Sequence, residues 1–204
     1  MSSNVNGYGK NGAICGTITG GNVEQAYVKN DVNITLLFSS SSNLEIGGLF
    51  GFVYPIAQPF QLVINNSYSL ANVNAQRLNS EIGGMIGSIC LANSFDVKII
   101  NSYSNVFLFS ANTGNIVGNI TNCVGQLSFN NTFFNNENGF PMIKATNGCN
   151  VIGSATGLNS SELLNAIINN FPPSIWCGRF LCNRIIIFFL ILIYFLNFFW
   201  AFRE

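Results

Sequence analysis

The sequence contains no histidine and few charged residues. Across 204 residues, charged side chains make up 8%, and eight Lys and Arg balance eight Asp and Glu. Without histidine, the chain lacks the side chain that most often acts as a general base, activates a Ser or Cys nucleophile, or binds a transition metal. The carboxylates are scattered along the chain, so no paired acid–base site is evident. We therefore predict a protein that is not an enzyme and that holds no cofactor and no metal.

The charge pattern also argues against a nucleic-acid partner. No run or patch of Lys and Arg forms the positive footprint that binding to phosphate requires. What is abundant instead is Asn, with 32 of the 204 residues, alongside Ser, Gly, Ile and Val. This composition is typical of short strands and turns. AT-rich coding is a simpler explanation for the excess of Asn, Ile and Phe, so composition alone does not indicate a function.

The N-terminal residues lack the apolar core of a secretory signal peptide. Residues 1–11 are mostly polar or glycine, and the first recurring motif starts at Gly12. We expect a disordered or truncated N-terminus over residues 1–11.

Six cysteines occur without the spacing of a metal site. They lie at positions 15, 90, 123, 149, 177 and 182, with no CxxC pair. Cys15 occupies a repeat position that is apolar in the other copies, which predicts a buried thiol. Cys177 and Cys182 have three open interpretations: a small disulfide, two free thiols, or attachment of a lipid. The even number of cysteines does not fix the redox compartment.

A glycine-punctuated motif recurs along the chain. The pattern Gly-x-apolar-apolar-Gly-x-apolar occurs four times, and a degenerate fifth copy begins at Cys149. The second glycine recurs at intervals of 35, 36, 31 and 35 residues, at Gly16, Gly51, Gly87, Gly118 and Gly153. Self-similarity at such a period is the signature of stacked repeats.

A second, aromatic element follows each copy of the motif. Its aromatic residue is Tyr27, Tyr68, Tyr103 or Phe133. Both elements are too short for helices and are rich in β-branched and aromatic residues. One such unit cannot bury its own apolar face, whereas stacked units can. We predict an all-β fold: a parallel β-helix or β-solenoid of about five imperfect repeats over residues 12–158, with the second glycines in one column.

Stacking in this register creates three further columns. The aromatic residues form a candidate surface ladder; alternation points them outward, but a turn before them would reverse the phase and make an internal stack. Asn66, Asn101 and Asn131 form either a binding face or a ladder of turns in the left-handed conformation. The third column holds the residues six positions before each second glycine, namely Lys10, Glu45, Glu81, Asn112 and Asn147.

The pairing of Gly-Gly-[Leu/Met]-[Phe/Ile]-Gly with Asn-Ser-Tyr-Ser resembles the GLUG-motif repeats of large surface proteins. The resemblance covers about residues 12–155, and residues 157–176 resemble the segment that closes such arrays. It implies an extracellular, adhesin-like β-solenoid and transfers no catalytic or binding residue.

Two C-terminal segments follow the repeats. The sequence of residues 159–176 predicts a short closing helix followed by a Pro-Pro linker. Asn159 or Ser160 would be its N-cap, and Glu162 would complete a capping box. The apolar face of the helix would consist of Leu163, Leu164, Ile167 and Ile168. Residues 185–202 form an almost uninterrupted apolar run. Eighteen residues at about 1.5 Å each span about 27 Å, so we predict one transmembrane helix whose partner is the lipid bilayer.

The orientation in the membrane is not settled by sequence. Arg179 and Arg184 precede the apolar run, and Arg203 alone follows it. The positive-inside rule favours a cytosolic repeat domain, whereas the resemblance favours an outside one.

The function we predict is that of a non-enzymatic, single-pass membrane protein that displays an adhesin-like or coat-forming repeat surface. Its partner would be a protein or a glycan, and specificity would lie in loops 35–45, 74–80 and 108–113. The alternatives are a tail-anchored intracellular protein and a non-functional remnant of a longer repeat protein.

Overall fold

A computed structural model describes residues 4–7, 9–36, 44–55, 61–74, 80–109 and 113–171. Within these ranges the chain is an all-β fold built of parallel sheets, with one α-helix. Every strand pairing in the four sheets is parallel. The apolar run at 185–202 and the linker at 172–184 lie outside the described residues.

Each sheet takes its strands from successive repeats. Sheet 1 consists of β1 (Asn4–Gly7), β6 (Asn33–Leu36), β11 (Asn72–Asn74) and β15 (Phe107–Phe109). Sheet 2 consists of β2 (Lys10–Gly12), β7 (Leu44–Gly47), β12 (Ser80–Gly83) and β16 (Thr113–Gly114). Sheet 3 consists of β3 (Cys15–Ile18), β8 (Phe50–Val53), β13 (Ile86–Cys90), β17 (Val117–Thr121) and β19 (Ile143–Ala145).

Sheet 4 is the longest and contains two strand segments in most repeats. It consists of β4 (Gly21–Glu24), β5 (Tyr27–Val28), β9 (Gln61–Asn65), β10 (Tyr68–Ser69), β14 (Asp96–Ser104), β18 (Gln126–Asn135), β20 (Asn150–Ile152) and β21 (Thr156–Leu158). A short 3-10 turn at Ala92–Ser94 precedes β14. We call each passage of the chain through the sheets a layer: residues 10–36, 44–74, 80–109, 113–135 and 143–158 form layers 1 to 5.

The core lies between the sheets and is made of aliphatic columns. In sheet 1, Ile34 and Val73 pair in register and are fully buried. In sheet 4, Leu62, Val97 and Leu127 do the same. Each layer therefore covers the apolar residues of its neighbour, which one layer could not do alone.

The first glycine of each motif turns the chain from sheet 2 to sheet 3. Gly47 pairs with Gly12 and Gly83, and Gly83 pairs with Gly114. A Cβ on Gly83 would collide with the carbonyl oxygen of Ile86 and lie 2.8 Å from the backbone nitrogen of Gly118. Backbone meets backbone at this corner, so a side chain has no room.

The second glycines share a column in layers 1 to 4, as predicted. The residues on either side of Gly87 pair with those around Gly51 and Gly118, and the same register joins Gly51 to Gly16. The prediction that Gly153 is the fifth member of this column is wrong. In layer 5 the strand beside β17 is Ile143–Ala145, which places Lys144 next to Gly118. The Cys149 copy instead pairs with Gln126–Ser128 in sheet 4.

The structure describes two strands in residues 1–11, the segment for which we expected a disordered or truncated N-terminus. Residues 4–7 form β1 and pair with Asn33–Leu36, and Lys10–Gly12 form β2. These described residues supply rungs to sheets 1 and 2.

The closing helix α1 spans Ser160–Asn170 and contacts β18 and β21. Asn159 caps it: its Oδ1 accepts from the Glu162 N–H at 2.9 Å, and its own N–H donates to the Glu162 carboxylate at 3.0 Å. This reciprocal pair is the predicted capping box. The predicted apolar face is only partly correct. Leu163 is buried, whereas Leu164 and Ile168 are more than half exposed because the helix rests on a narrower strip.

Candidate functional site

The four predicted aromatic residues form one continuous column on sheet 4. Tyr68 pairs with Tyr27 on one side and Tyr103 on the other, and Tyr103 pairs with Phe133. The rings of Tyr27 and Tyr68 stack with centroids 5.4 Å apart, and those of Tyr68 and Tyr103 with centroids 4.9 Å apart. Rings in register at this separation attract one another beyond their burial.

Burial in the column rises from Tyr27 to Tyr103 and falls again at Phe133, which is half-buried. Tyr27 is 54% exposed, Tyr68 is intermediate and Tyr103 is 8% exposed. The next residue in each strand, Val28, Ser69 or Ser104, is buried, so alternation places the aromatic residues outward. Burial raises the pKa of the Tyr103 phenol strongly, and the neighbouring Tyr68 adds to it. Burial, and to a smaller extent the neighbouring Tyr27, also raises the pKa of the Tyr68 phenol. Both phenols therefore stay neutral well above physiological pH.

The asparagine column is a ladder of left-handed bends just before the aromatic residues. Asn66, Asn101 and Asn131 have φ values of 49°, 46° and 47°. The amide of Asn131 donates to Asn101 Oδ1 at 2.9 Å, and that of Asn66 donates to Glu24 at 3.1 Å. This geometry matches the turn-ladder interpretation, since Asn tolerates the left-handed region better than most residues.

A buried hydroxyl follows each bend and satisfies backbone groups. Ser67 and Ser102 donate to the carbonyls two residues before them, Asn65 and Ile100, at 2.8 and 2.7 Å. Ser102 Oγ also accepts from the Ser67 N–H at 3.2 Å, and Ser67 Oγ accepts from the Ala26 N–H at 3.2 Å. The Asn-Ser and Asn-Thr pairs thus have a structural role: the Asn bends the strand and the hydroxyl pairs the amide that the bend releases.

The charged column exists in the predicted register over three layers. Lys10 pairs with Glu45, and Glu45 with Glu81. Burial is the main cause that raises the pKa of Glu45; Lys10 lowers it and Glu81 raises it further. Burial also raises the pKa of Glu81. The Lys10 ammonium lies 3.6 Å from the ring centroid of Phe52, so it is shared with a cation–π contact. Asn112 lies outside the described residues.

Asn147 does not belong to the charged column. It has a positive φ of 49° and donates to Asn119 Oδ1 at 2.8 Å in a turn after β19. The prediction was wrong because it counted back from Gly153, which is not in the glycine column.

Replacing Glu81 by Gln should raise the stability of the folded protein at neutral pH. The change removes a carboxylate next to Glu45, and like charges opposite each other on exposed strands cost roughly 0.2–1 kcal/mol. Folding raises the pKa values of both carboxyl groups. Their contribution to the stability of the folded protein is therefore most favourable below the usual carboxyl pKa, and it is lost as pH rises through their pKa values in the folded protein. The gain in Tm of Glu81→Gln over wild type should therefore be larger at pH 7 than at pH 4.5.

Glu137→Gln is the matched control for Glu81→Gln, because its effect on stability should depend on pH in the opposite direction. Hydrogen bonds from Ser160 and Asn135 lower the pKa of Glu137, so its contribution is present at neutral pH and lost as pH falls. Thermal melts of both variants at several pH values test the column. A strong destabilisation by Glu81→Gln that appears only with calcium would point to a cation site instead.

Two features of the described residues were not found by sequence reasoning. Cys123 and Cys149 form a disulfide, with Cα atoms 4.5 Å apart, that joins the turn before β18 to the turn before β20. Cys15 is half-buried and Cys90 is buried, both as free thiols. Cys15 was predicted to be buried and is only half-buried, although this burial is enough to raise the pKa of its thiol. The second feature is a cavity at the first layer, described below.

The loops predicted to carry specificity fall mainly on residues 37–43, 75–79 and 110–112, which lie outside the described ranges. Among the residues that are described, no three His, Cys, Asp or Glu side chains converge as metal ligands would. The same residues include no helix of the length and apolarity needed to cross a bilayer.

No protein-family model matches the chain, and neither the curated proteins nor the solved structures contain a significant match.

Proposed function

We propose that this chain is a non-enzymatic, membrane-anchored β-solenoid that displays its repeats at the cell surface as an adhesin or coat. The observation that carries the proposal is the register: the first glycines and the aromatic residues of successive repeats pair residue for residue. The residues on either side of the second glycines and of the asparagine bends pair in the same register. About five such repeats, followed by α1, make a stack of layers whose outer surface carries columns of similar residues. Such a stack would act by presenting this surface to a partner.

The closing helix α1 packs against the last repeats, which supports the proposal that it ends the stack. A bare last layer would expose strand edges that invite pairing with other chains. Helix α1 lies against β18 and β21, and its Leu163 is buried. The GLUG-motif resemblance fits the same arrangement of repeats followed by a closing segment, and it favours surface display.

The disulfide supports an extracellular repeat domain. Disulfides persist in oxidising compartments and are rare in the reducing cytosol. The Cys123–Cys149 pair lies within the repeats themselves. It therefore favours the outside orientation, against the arginine count around residues 185–202.

That arginine count favours the second candidate, a tail-anchored protein whose repeats stay in the cytosol. Arg179 and Arg184 precede the apolar run and Arg203 follows it. Protease added to intact cells separates the two candidates, with an epitope in the repeats as readout. Loss of the epitope is expected for display outside, and protection would overturn the surface proposal. Failure to detect any endogenous protein would favour a non-functional remnant of a longer repeat protein.

Deleting residues 184–204 should release the protein from membranes. An apolar run of 18 residues is about the minimum length that spans a bilayer, and we propose it as the one anchor. The measurement is carbonate-resistant pelleting of the deletion variant against the full chain. Cys177→Ser/Cys182→Ser in the full chain is the control for lipid attachment: it should remain in the pellet. A deletion variant that still pelleted would place the anchor elsewhere.

A further inference from the structure

A small cavity opens on the first layer. Its volume is about 240 Å³, and every described residue that lines it belongs to residues 13–32. The walls combine the apolar side chains of Ile14 and Val32 with Tyr27, Lys29 and Asp31. None of the described residues of layer 2 lines it, so the cavity belongs to layer 1.

Layer 1 is the last described layer in sheets 2, 3 and 4, whereas β1 adds a rung beyond it in sheet 1. The exposure of the lining residues in sheets 3 and 4 agrees with this. Ile14 is the first-layer member of a corner column: its N–H donates to Leu49 O, and the Leu49 N–H donates to Met85 O. Leu49 and Met85 are fully buried, whereas Ile14 is 47% exposed. Tyr27 shows the same contrast with Tyr103 in the aromatic column. One ring face of Tyr27 is covered by Tyr68, and Tyr27 also lines the cavity.

Asp31 supplies the one carboxylate among the described residues that line the cavity. Its Oδ1 is closed off from solvent, so a ligand in the open cavity can reach only the other carboxylate oxygen, Oδ2. Asp31 as a whole is half-buried, and a carboxylate oxygen accepts a hydrogen bond from a hydroxyl group.

From this geometry we infer that the cavity between Tyr27 and Asp31 is a binding site for a single pyranose ring of a glycan. A pyranose has an apolar C–H face that stacks on an aromatic ring, and hydroxyl groups that donate to a carboxylate. One carboxylate and one ammonium line the cavity, so its balanced charge favours a neutral polar ligand over an ion. Stacked on Tyr27, the sugar would continue the aromatic column by one rung.

This inference rests on the proposed function, because it names the class of partner that a displayed surface would bind. The size of the cavity limits it to one ring, which at ordinary ligand efficiency corresponds to a dissociation constant of about 1 mM. Display of several copies on one cell would raise the effective affinity by multivalency.

The test is titration of the full chain with methyl glycosides of glucose, galactose, mannose and N-acetylglucosamine, followed by saturation-transfer NMR. The protein is held in zwitterionic micelles, since maltoside and glucoside detergents would compete. We expect at least one glycoside to bind, with at least tenfold loss in Tyr27→Ala and in Asp31→Asn. Tyr54→Ala is the matched control: Tyr54 is 46% exposed and stacks on Phe52, away from the cavity, so binding should be unchanged.

Absence of binding by all four glycosides would overturn the inference, as would equal losses in Tyr27→Ala and Tyr54→Ala. Circular dichroism melts of each variant identify a loss caused by unfolding, and Asp31→Asn keeps the inference testable if Tyr27→Ala fails to fold. Protease sensitivity on intact cells reports on display independently. Display without sugar binding contradicts the site alone, and sugar binding by a protein protected from protease contradicts the proposed display alone.

Discussion

Replacing Gly83 by Ala should destabilise the fold by at least about 3 kcal/mol, near the upper end for single substitutions. The added Cβ would collide with the Ile86 carbonyl and crowd the Gly118 backbone nitrogen, and backbone atoms inside a stack have little freedom to move away. Thermal melts of the full chain in micelles, followed by β-sheet circular dichroism, would show a Tm lowered by at least about 6 °C for a chain of this size.

Gly139→Ala separates this steric cost from the loss of glycine's flexibility. Gly139 has a φ of 72°, and a Cβ there would meet nothing within 4 Å. Its replacement should cost only about 1–2 kcal/mol, the price of the left-handed region for an L-residue. If Gly83→Ala proved no worse than Gly139→Ala, the close backbone approach between layers would be contradicted.

The register of the stack could be predicted from sequence because its constraints are local and repeated. Each repeat shows a glycine where two backbones touch, an aromatic residue after a bend, and a fixed offset between the two. The residues six positions before Gly51 and Gly87 are Glu45 and Glu81. They pair with each other, as this offset predicted. The bends at Asn66, Asn101 and Asn131 followed from the preference of Asn for the left-handed region.

The last layer could not be predicted in the same way. Alternating apolar residues are shared by all four sheets, so Cys149–Gly153 resembles a sheet 3 segment although its strand pairs in sheet 4. The strand that does continue sheet 3 places Lys144 where a glycine was expected, with its side chain exposed. Helix α1 was predicted by its capping box, but its buried face depends on the strands beneath it, which sequence spacing does not reveal.

The aromatic column of the candidate site was visible as a spacing, whereas its exposure was not. Each ring is covered by the layers on either side, so exposure depends on position in the stack and differs between Tyr27 and Tyr103. The cavity arises at the end of the stack, where Ile14 and Asp31 come together from parts of the layer that sequence does not bring near each other. The disulfide was missed because six cysteines allow many pairings.

Breaking the disulfide should have the second large effect on stability. Cys123 and Cys149 are 26 residues apart, and a cross-link over a loop of that size limits the unfolded chain by about 3 kcal/mol. The bridge joins layers 4 and 5, so its loss should loosen the last layer together with the α1 helix that packs on it. We expect Cys123→Ser to lower the Tm under non-reducing conditions by about 6–12 °C.

A double-mutant cycle distinguishes this bridge from the loss of two separate side chains. Cys149→Ser should match Cys123→Ser, and the double variant should be hardly less stable than either, because the first change already removes the whole cross-link. Reductant should lower the Tm of wild type to that of the variants and leave the variants unchanged. Cys15→Ser, which replaces a free thiol that donates to Thr17 O, should stay sensitive to reductant like wild type. Additive losses in the cycle, or a wild-type Tm that ignores reductant, would show that the two sulfurs are not bonded in the folded protein.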